Sequence, residues 1–146
     1  MEIIRATESW QQAGACYVRI QAMARQHRIS LREEFDEHDG PGARYIVVID
    51  DYLPVATGRI YEQDRESMMI GRVVVLPEYR GQGLGRLVMA ECESWIRELG
   101  YRRALLESRD NKTGFYRRLG YAETGEPAVE GVTFRCIPMA KELDRA

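Results

Sequence analysis

A β-branched run that stops at a proline, crosses three alternate glycines and opens into an amphipathic helix constrains this chain most. It reads Gly71-Arg72-Val73-Val74-Val75-Leu76-Pro77-Glu78-Tyr79-Arg80-Gly81-Gln82-Gly83-Leu84-Gly85-Arg86. Val73 to Val75 predict a buried strand, because β-branched side chains suit a pleated, packed surface. Pro77 ends it by removing a ladder donor. From Leu84 onward the apolar residues Leu87, Val88, Cys92, Trp95, Ile96 and Leu99 recur at helical spacing, and Gly100 predicts the C-terminal cap. Strand, glycine loop and helix N-terminus together make an anion site. Backbone amides without intrahelical partners point outward there, and the helix dipole adds partial positive charge.

The choice of anion follows from what the stretch lacks. A phosphate-binding nucleotide loop needs a lysine with a hydroxyl neighbour after its glycines, and none follows here. A dinucleotide fingerprint needs Gly-x-Gly-x-x-Gly, whereas the spacing here is Gly81-x-Gly83-x-Gly85. The bland alternative is a strand-to-helix turn eased by glycines. Arg80-Gly81-Gln82-Gly83-Leu84-Gly85 resembles the acyl-coenzyme A signature of the GNAT superfamily of N-acetyltransferases, Gln/Arg-x-x-Gly-x-Gly/Ala. The strand Val73-Val74-Val75 precedes it at the spacing that family uses. The resemblance implies that main-chain groups about Val73, Val74 and Val75 hold the pantetheine and thioester carbonyl of acetyl-coenzyme A. It also implies a pyrophosphate cradle from Gly81, Gln82, Gly83, Leu84, Gly85 and Arg86, with charge added by Arg80 or Arg86.

Composition narrows the rest. A chain of 146 residues predicts one domain, 1–146, large enough for a real core. With 21 basic against 23 acidic residues, no global field favours nucleic acid or a membrane surface. Cys16, Cys92 and Cys136 are widely spaced without a Cys-x-x-Cys, which predicts reduced thiols and a cytoplasmic setting. No apolar run approaches membrane length, and Met1 to Ala6 reads as a charged strand, not a signal sequence. His27 and His38 alone do not make a metal site, so no metal is expected.

In chain order, Ile3 to Ala6 reads as a first strand, followed by a helix to about Arg25 that Thr7 or Ser9 can cap. Ser30 to Asp39 carries Glu33, Glu34, Asp36, Glu37 and Asp39. One reading is a solvated acidic face. The other is a negative rim, with Glu33, Asp36 and Glu37 drawing in a cationic amine. After the break at Gly40-Pro41-Gly42, Ala43 to Ile49 and Leu53 to Tyr61 read as a hairpin about Asp50-Asp51. Met68 to Leu76, the glycine-loop helix and Arg103 to Glu107 complete a meander followed by a β-α-β unit. That order matches the GNAT fold: an α+β chain with a mixed, mostly antiparallel sheet, flanking helices, and a splay at the coenzyme strands.

The second chemical stretch is Asn111-Lys112-Thr113-Gly114-Phe115-Tyr116-Arg117-Arg118-Leu119-Gly120-Tyr121. Asp110 or Thr113 can start a short helix there, and Gly120 ends it. Phe115-Tyr116-Arg117-Arg118-Leu119-Gly120-Tyr121 is similar to the family's Phe/Leu-Tyr-x-x-x-Gly-Phe signature. The resemblance implies that the Tyr116 hydroxyl lies near the thioester sulfur and protonates the departing thiolate. Many members carry asparagine seven residues before this tyrosine, against the pantetheine arm; Arg109 stands there, with Asn111 nearby but out of register. The resembling bacterial subgroup tends to carry a histidine before its last strand, and this chain has no histidine after His38. The base therefore stays open among Glu107, Glu33 and Glu37, acting through a water.

These readings converge on acetyl transfer from acetyl-coenzyme A to an amine in a ternary complex, with a small molecule or a protein as acceptor. The alternative is a non-catalytic acyl-coenzyme A sensor or scaffold, which needs the glycine loop but not Tyr116. Oligomeric state stays open, a homodimer included.

Overall fold

The computed structural model describes residues 1–144; the last two residues of the expected 1–146 domain lie outside them. β1 (Glu2–Arg5) leads into α1 (Ser9–Arg19). The cap of α1 is Glu8, not Thr7 or Ser9, because Glu8 keeps an extended backbone while Ser9 is already helical. The Gln11 side chain accepts hydrogen bonds from the N–H groups of Thr7 (2.7 Å) and Glu8 (2.9 Å), closing a capping box. The helix runs on through a π-helical stretch, Ile20–Ala24, and a last turn α2 (Arg25–His27) before Arg28 turns left-handed. α3 (Leu31–Glu34) and a 3-10 turn, Glu37–Asp39, fold the acidic stretch into two short helical pieces.

The remaining elements are β2 (Arg44–Asp50), β3 (Leu53–Glu62), β4 (Ser67–Val75), α4 (Leu84–Glu98), β5 (Arg103–Arg109), α5 (Thr113–Arg118), β6 (Ala122–Glu123), β7 (Val129–Glu130) and β8 (Arg135–Glu142). They form one eight-stranded sheet ordered β1-β2-β3-β4-β5-β8-β6, with β7 also on β8. β4 and β5 pair in parallel across the α4 crossover, and the other pairings are antiparallel. The sheet is mixed and mostly antiparallel, as the sequence predicts. β6 and β7 are too short to leave a periodic signal.

Both faces of the sheet are covered. A Cβ on Gly14 of α1 would stand 3.4 Å from Val47 Cγ2, and one on Gly58 of β3 would stand 2.7 Å from Val88 Cγ1 of α4. Val47 pairs with Thr57, the neighbour of Gly58, so α1 and α4 lie on opposite faces. The core between α4 and the sheet gathers Val48, Ala56, Ile60, Leu84, Val88, Met89, Cys92, Trp95 and Ile96. Leu87, expected on that apolar face, is exposed, one step off the stripe, and Met89 is buried. Arg5 ties β1 to α4 through Glu91 and Glu98, each at 2.7 Å.

Candidate active site

β4 is where the sheet opens. Its register with β5 runs only from Ser67↔Arg103 to Ile70↔Leu106, although β4 continues to Val75 and β5 to Arg109. On its other side, Thr57 pairs with Val74 but Arg59 with Gly71, so β4 carries one residue more than β3 there. That is a β-bulge, which bends and twists its strand. Arg72 sits in it with φ 52°, a left-handed backbone uncommon outside glycine. Bulge and splay leave a cavity of about 510 Å³.

The glycine loop closes one end. Gly83 is the N-cap of α4 and, with φ 80°, needs a residue without a Cβ penalty. Its carbonyl accepts the first helical hydrogen bond, from Leu87. The amides of Leu84, Gly85 and Arg86 are therefore the unpaired donors of the first turn. A Cβ at Gly81 or Gly83 would meet nothing within 4 Å, so the backbone faces open space. Arg80 donates through Nε to the Val75 carbonyl (3.3 Å), and Arg86 and Lys112 also stand on the cavity wall. Unpaired amides, a helix dipole and three cations fit a pyrophosphate.

Tyr116, on α5, reaches the same cavity. Burial pushes its hydroxyl pKa up against the opposing field of Arg109. No described residue hydrogen-bonds that hydroxyl. Tyr121, five residues on, donates instead to Glu93 (2.8 Å), which also accepts from Lys141 (2.9 Å). Met23, Glu107, Arg109, Phe134 and Cys136 line the cavity as well, Glu107 being one of the three carboxylates left open as the base. Arg109 stands at the register position the sequence leaves for the pantetheine contact. Met23 comes from the π-helical stretch and Phe134 stands just before β8, both far in sequence from the glycine loop.

Of the residues expected to hold the coenzyme, Val73, Val74, Val75, Arg80, Gly81, Gly83, Leu84, Gly85, Arg86 and Tyr116 line the cavity. Val74 and Leu84 are buried residues of that wall. Gln82 and Asn111 lie outside the wall, both exposed.

The acidic stretch divides. Arg19 and Glu34 are 0% and 2% exposed and meet at 3.0 Å; Arg19 also holds Asp39 at 2.6 Å. Arg59 joins Asp36 (2.9 Å) and Asp39 (3.0 Å), and Arg72 reaches Asp36 (3.2 Å) and the Glu34 carbonyl (3.0 Å). Three arginines and three carboxylates thus clamp the stretch to the bulge. Asp36, expected on a free rim, is engaged there because Arg59 and Arg72 point at it from β3 and β4. Glu33 is exposed and closes a capping box with Ser30; Glu37 is exposed beside His38 (3.6 Å). None of the three lines the cavity. Among the described residues there is no cluster of three or more His, Cys, Asp or Glu side chains suited to a metal, and no helix long and apolar enough to cross a membrane.

A parted mixed sheet beside a bare helix N-terminus defines the acyl-coenzyme A N-acyltransferase fold, which binds acetyl-coenzyme A. Residues 7–121 match the Acetyltransferase (GNAT) family, and the chain belongs to it, as an N-acetyltransferase enzyme. It is 29% identical over 113 residues to an uncharacterized acetyltransferase of Streptococcus pyogenes serotype M1, covering 77% of this chain and 79% of that one. A putative N-acetyltransferase from Lactobacillus plantarum superposes with a TM-score of 0.90 at 28% identity, covering 98% of both chains. An aminoglycoside 6'-N-acetyltransferase crystallised with coenzyme A shares the fold at 15% identity, with a TM-score of 0.79 over 100% of this chain and 99% of that one.

Proposed function

We propose that residues 1–146 form one catalytic domain that moves the acetyl group of acetyl-coenzyme A to a primary amine by direct attack in a ternary complex. One observation carries the reading: a tyrosine hydroxyl that no described residue satisfies and the unpaired amides of a helix N-terminus line one cavity. The amides of Leu84, Gly85 and Arg86 hold the pyrophosphate, with Arg80, Arg86 and Lys112 as counter-charges. Main-chain groups of Val73 to Val75, beyond the bulge, hold the pantetheine and meet the charge that grows on the carbonyl oxygen.

Each proton then has a place. Glu107 lines the cavity, and no described residue hydrogen-bonds or ion-pairs its carboxylate. It takes a proton from the acceptor ammonium, directly or through a water, freeing the nitrogen lone pair. As the C–N bond forms and the C–S bond breaks, the Tyr116 hydroxyl gives its proton to the leaving sulfur, and the second proton the nitrogen sheds passes through water back to the Tyr116 oxygen, leaving a neutral amide and a free thiol. Burial keeps that hydroxyl protonated at neutral pH, the form an acid needs.

The test is release of free thiol from acetyl-coenzyme A across a panel of primary amines, with calorimetric binding of acetyl-coenzyme A alongside. Amine-dependent release supports transfer. Tight binding without release from any amine makes the protein an acyl-coenzyme A sensor instead.

A further inference from the structure

Arg109 is a half-buried cation that the coenzyme end of the cavity does not account for. Arg80 and Arg86 are exposed beside the N-terminus of α4, and Lys112 is exposed on the same cavity wall. Arg109 instead lies on β5. Ala104, Leu106 and Ser108 alternate inward as buried residues, so Glu107 and Arg109 share the opposite face. There its guanidinium carbon sits 4.0 Å from the centre of the Phe134 ring, and Nη2 lies 3.1 Å from Met23 Sδ. A thioether is a weak acceptor. Phe134 is braced from behind by His27, edge-on at 5.2 Å.

No carboxylate among the described residues pairs with Arg109, whereas Arg19, Arg59 and Arg72 all have one. Desolvation is strong enough to lower its pKa. A half-buried guanidinium held between an aromatic ring and a thioether, facing a cavity, lacks an anion. Glu107 stands two positions along the same strand face, a backbone spacing of roughly 7 Å, and no described residue pairs its carboxylate. A cation and an anion side by side on one strand face match a small molecule carrying both an ammonium and a carboxylate.

We propose that the acceptor is a small amino acid, its carboxylate bound by Arg109 and its amino group on the Glu107 side. The inference rests on the transferase reading above and names the substrate class of that site. Arg109 is a specificity-determining residue here. Glu34, whose charge reaches Arg109, is already held by Arg19 and Arg72 and does not compete for it.

The experiment compares each common α-amino acid with its carboxamide, which keeps the amine and removes the negative charge. Thiol release should favour at least one acid over its amide. In Arg109→Gln the acid-over-amide ratio of kcat/KM should fall about 10- to 100-fold, mainly through KM, because a charge-assisted fork is lost. Arg109→Lys should recover part of it, and KM for acetyl-coenzyme A should stay within about twofold, since the unpaired amides of α4 and the cations Arg80, Arg86 and Lys112 are untouched. Amides used as well as acids overturn the inference while leaving transfer intact. A rise confined to the acetyl-coenzyme A KM also overturns it and gives Arg109 to the pantetheine arm. Thermal-shift titration of the coenzyme A complex reads the same contrast without turnover: stabilisation by acids, absent with amides and lost in Arg109→Gln. If no acid stabilises that complex, the inference falls even where no transfer is seen; stabilisation without any release defeats the transferase reading alone.

Discussion

Two tyrosines of one short segment divide structure from chemistry. Tyr121 is buried and donates to Glu93, tying the chain just after α5 to α4; Tyr116 has a hydroxyl no described residue satisfies. Tyr116→Phe should therefore cut turnover by about ten- to a thousandfold, the range general-acid catalysis spans, with acetyl-coenzyme A affinity nearly unchanged. Single-turnover thiol release and calorimetry check the two halves. Tyr121→Phe should do the opposite, lowering the unfolding free energy by about 1–3 kcal/mol because a buried carboxylate loses a donor. Urea titration reads that loss, and turnover of the folded fraction should persist. Both tyrosines are legible in sequence, as neighbours in one motif. Their difference is not, because Glu93 lies 28 positions away from Tyr121.

At the scale of elements, α4 does two tasks with opposite ends of one stripe. Its buried face sits so close to β3 that Gly58 leaves room for Val88 only by lacking a side chain. Gly58→Ala should cost about 1–3 kcal/mol through overpacking, seen as a lower urea midpoint. Its N-terminus stands clear of the core. Gly83→Glu places bulk and negative charge where the amides are open, so acetyl-coenzyme A binding should be lost in calorimetry while the circular dichroism stays native. The strand, glycine loop and helix were legible because periodicity, Pro77 and the glycines act within a few residues of one another. The bulge was not: Arg72 takes a left-handed backbone with no glycine to announce it, held by the Glu34 carbonyl 38 positions earlier. For the same reason the acidic stretch read as bare charge. Its arginine partners lie 15 to 38 positions away, and only folding brings them in.

The whole molecule carries that clamp as a pH dependence. Burial alone would raise the pKa of Asp39, but hydrogen bonds from Arg19, the Asp36 amide and Tyr45 outweigh it and hold the carboxyl well below its ordinary range. An unfolded Asp titrates near about 3.9, so on acidification the unfolded chain takes the proton first. The stability this group contributes is complete above about pH 5 and drains away as pH falls toward the folded value. Urea midpoints between about pH 6 and pH 3 should fall steeply, and Asp39→Asn, though less stable at neutral pH, should flatten that acid limb.

The parting of β4 from β5 has one more consequence. A sheet ordinarily exposes unpaired backbone only at its rims, here β1 on one side and β6 and β7 on the other; this one also has two edges in its interior, Gly71–Val75 and Glu107–Arg109. Such edges are templates for any extended chain, including a neighbouring copy. Coenzyme A lying between them shields both, so the stripped protein should be the form that self-associates on concentration, and added coenzyme A should keep it dispersed in light scattering. A ligand taken up for its thioester thereby also serves as the chain's guard against sticking to itself.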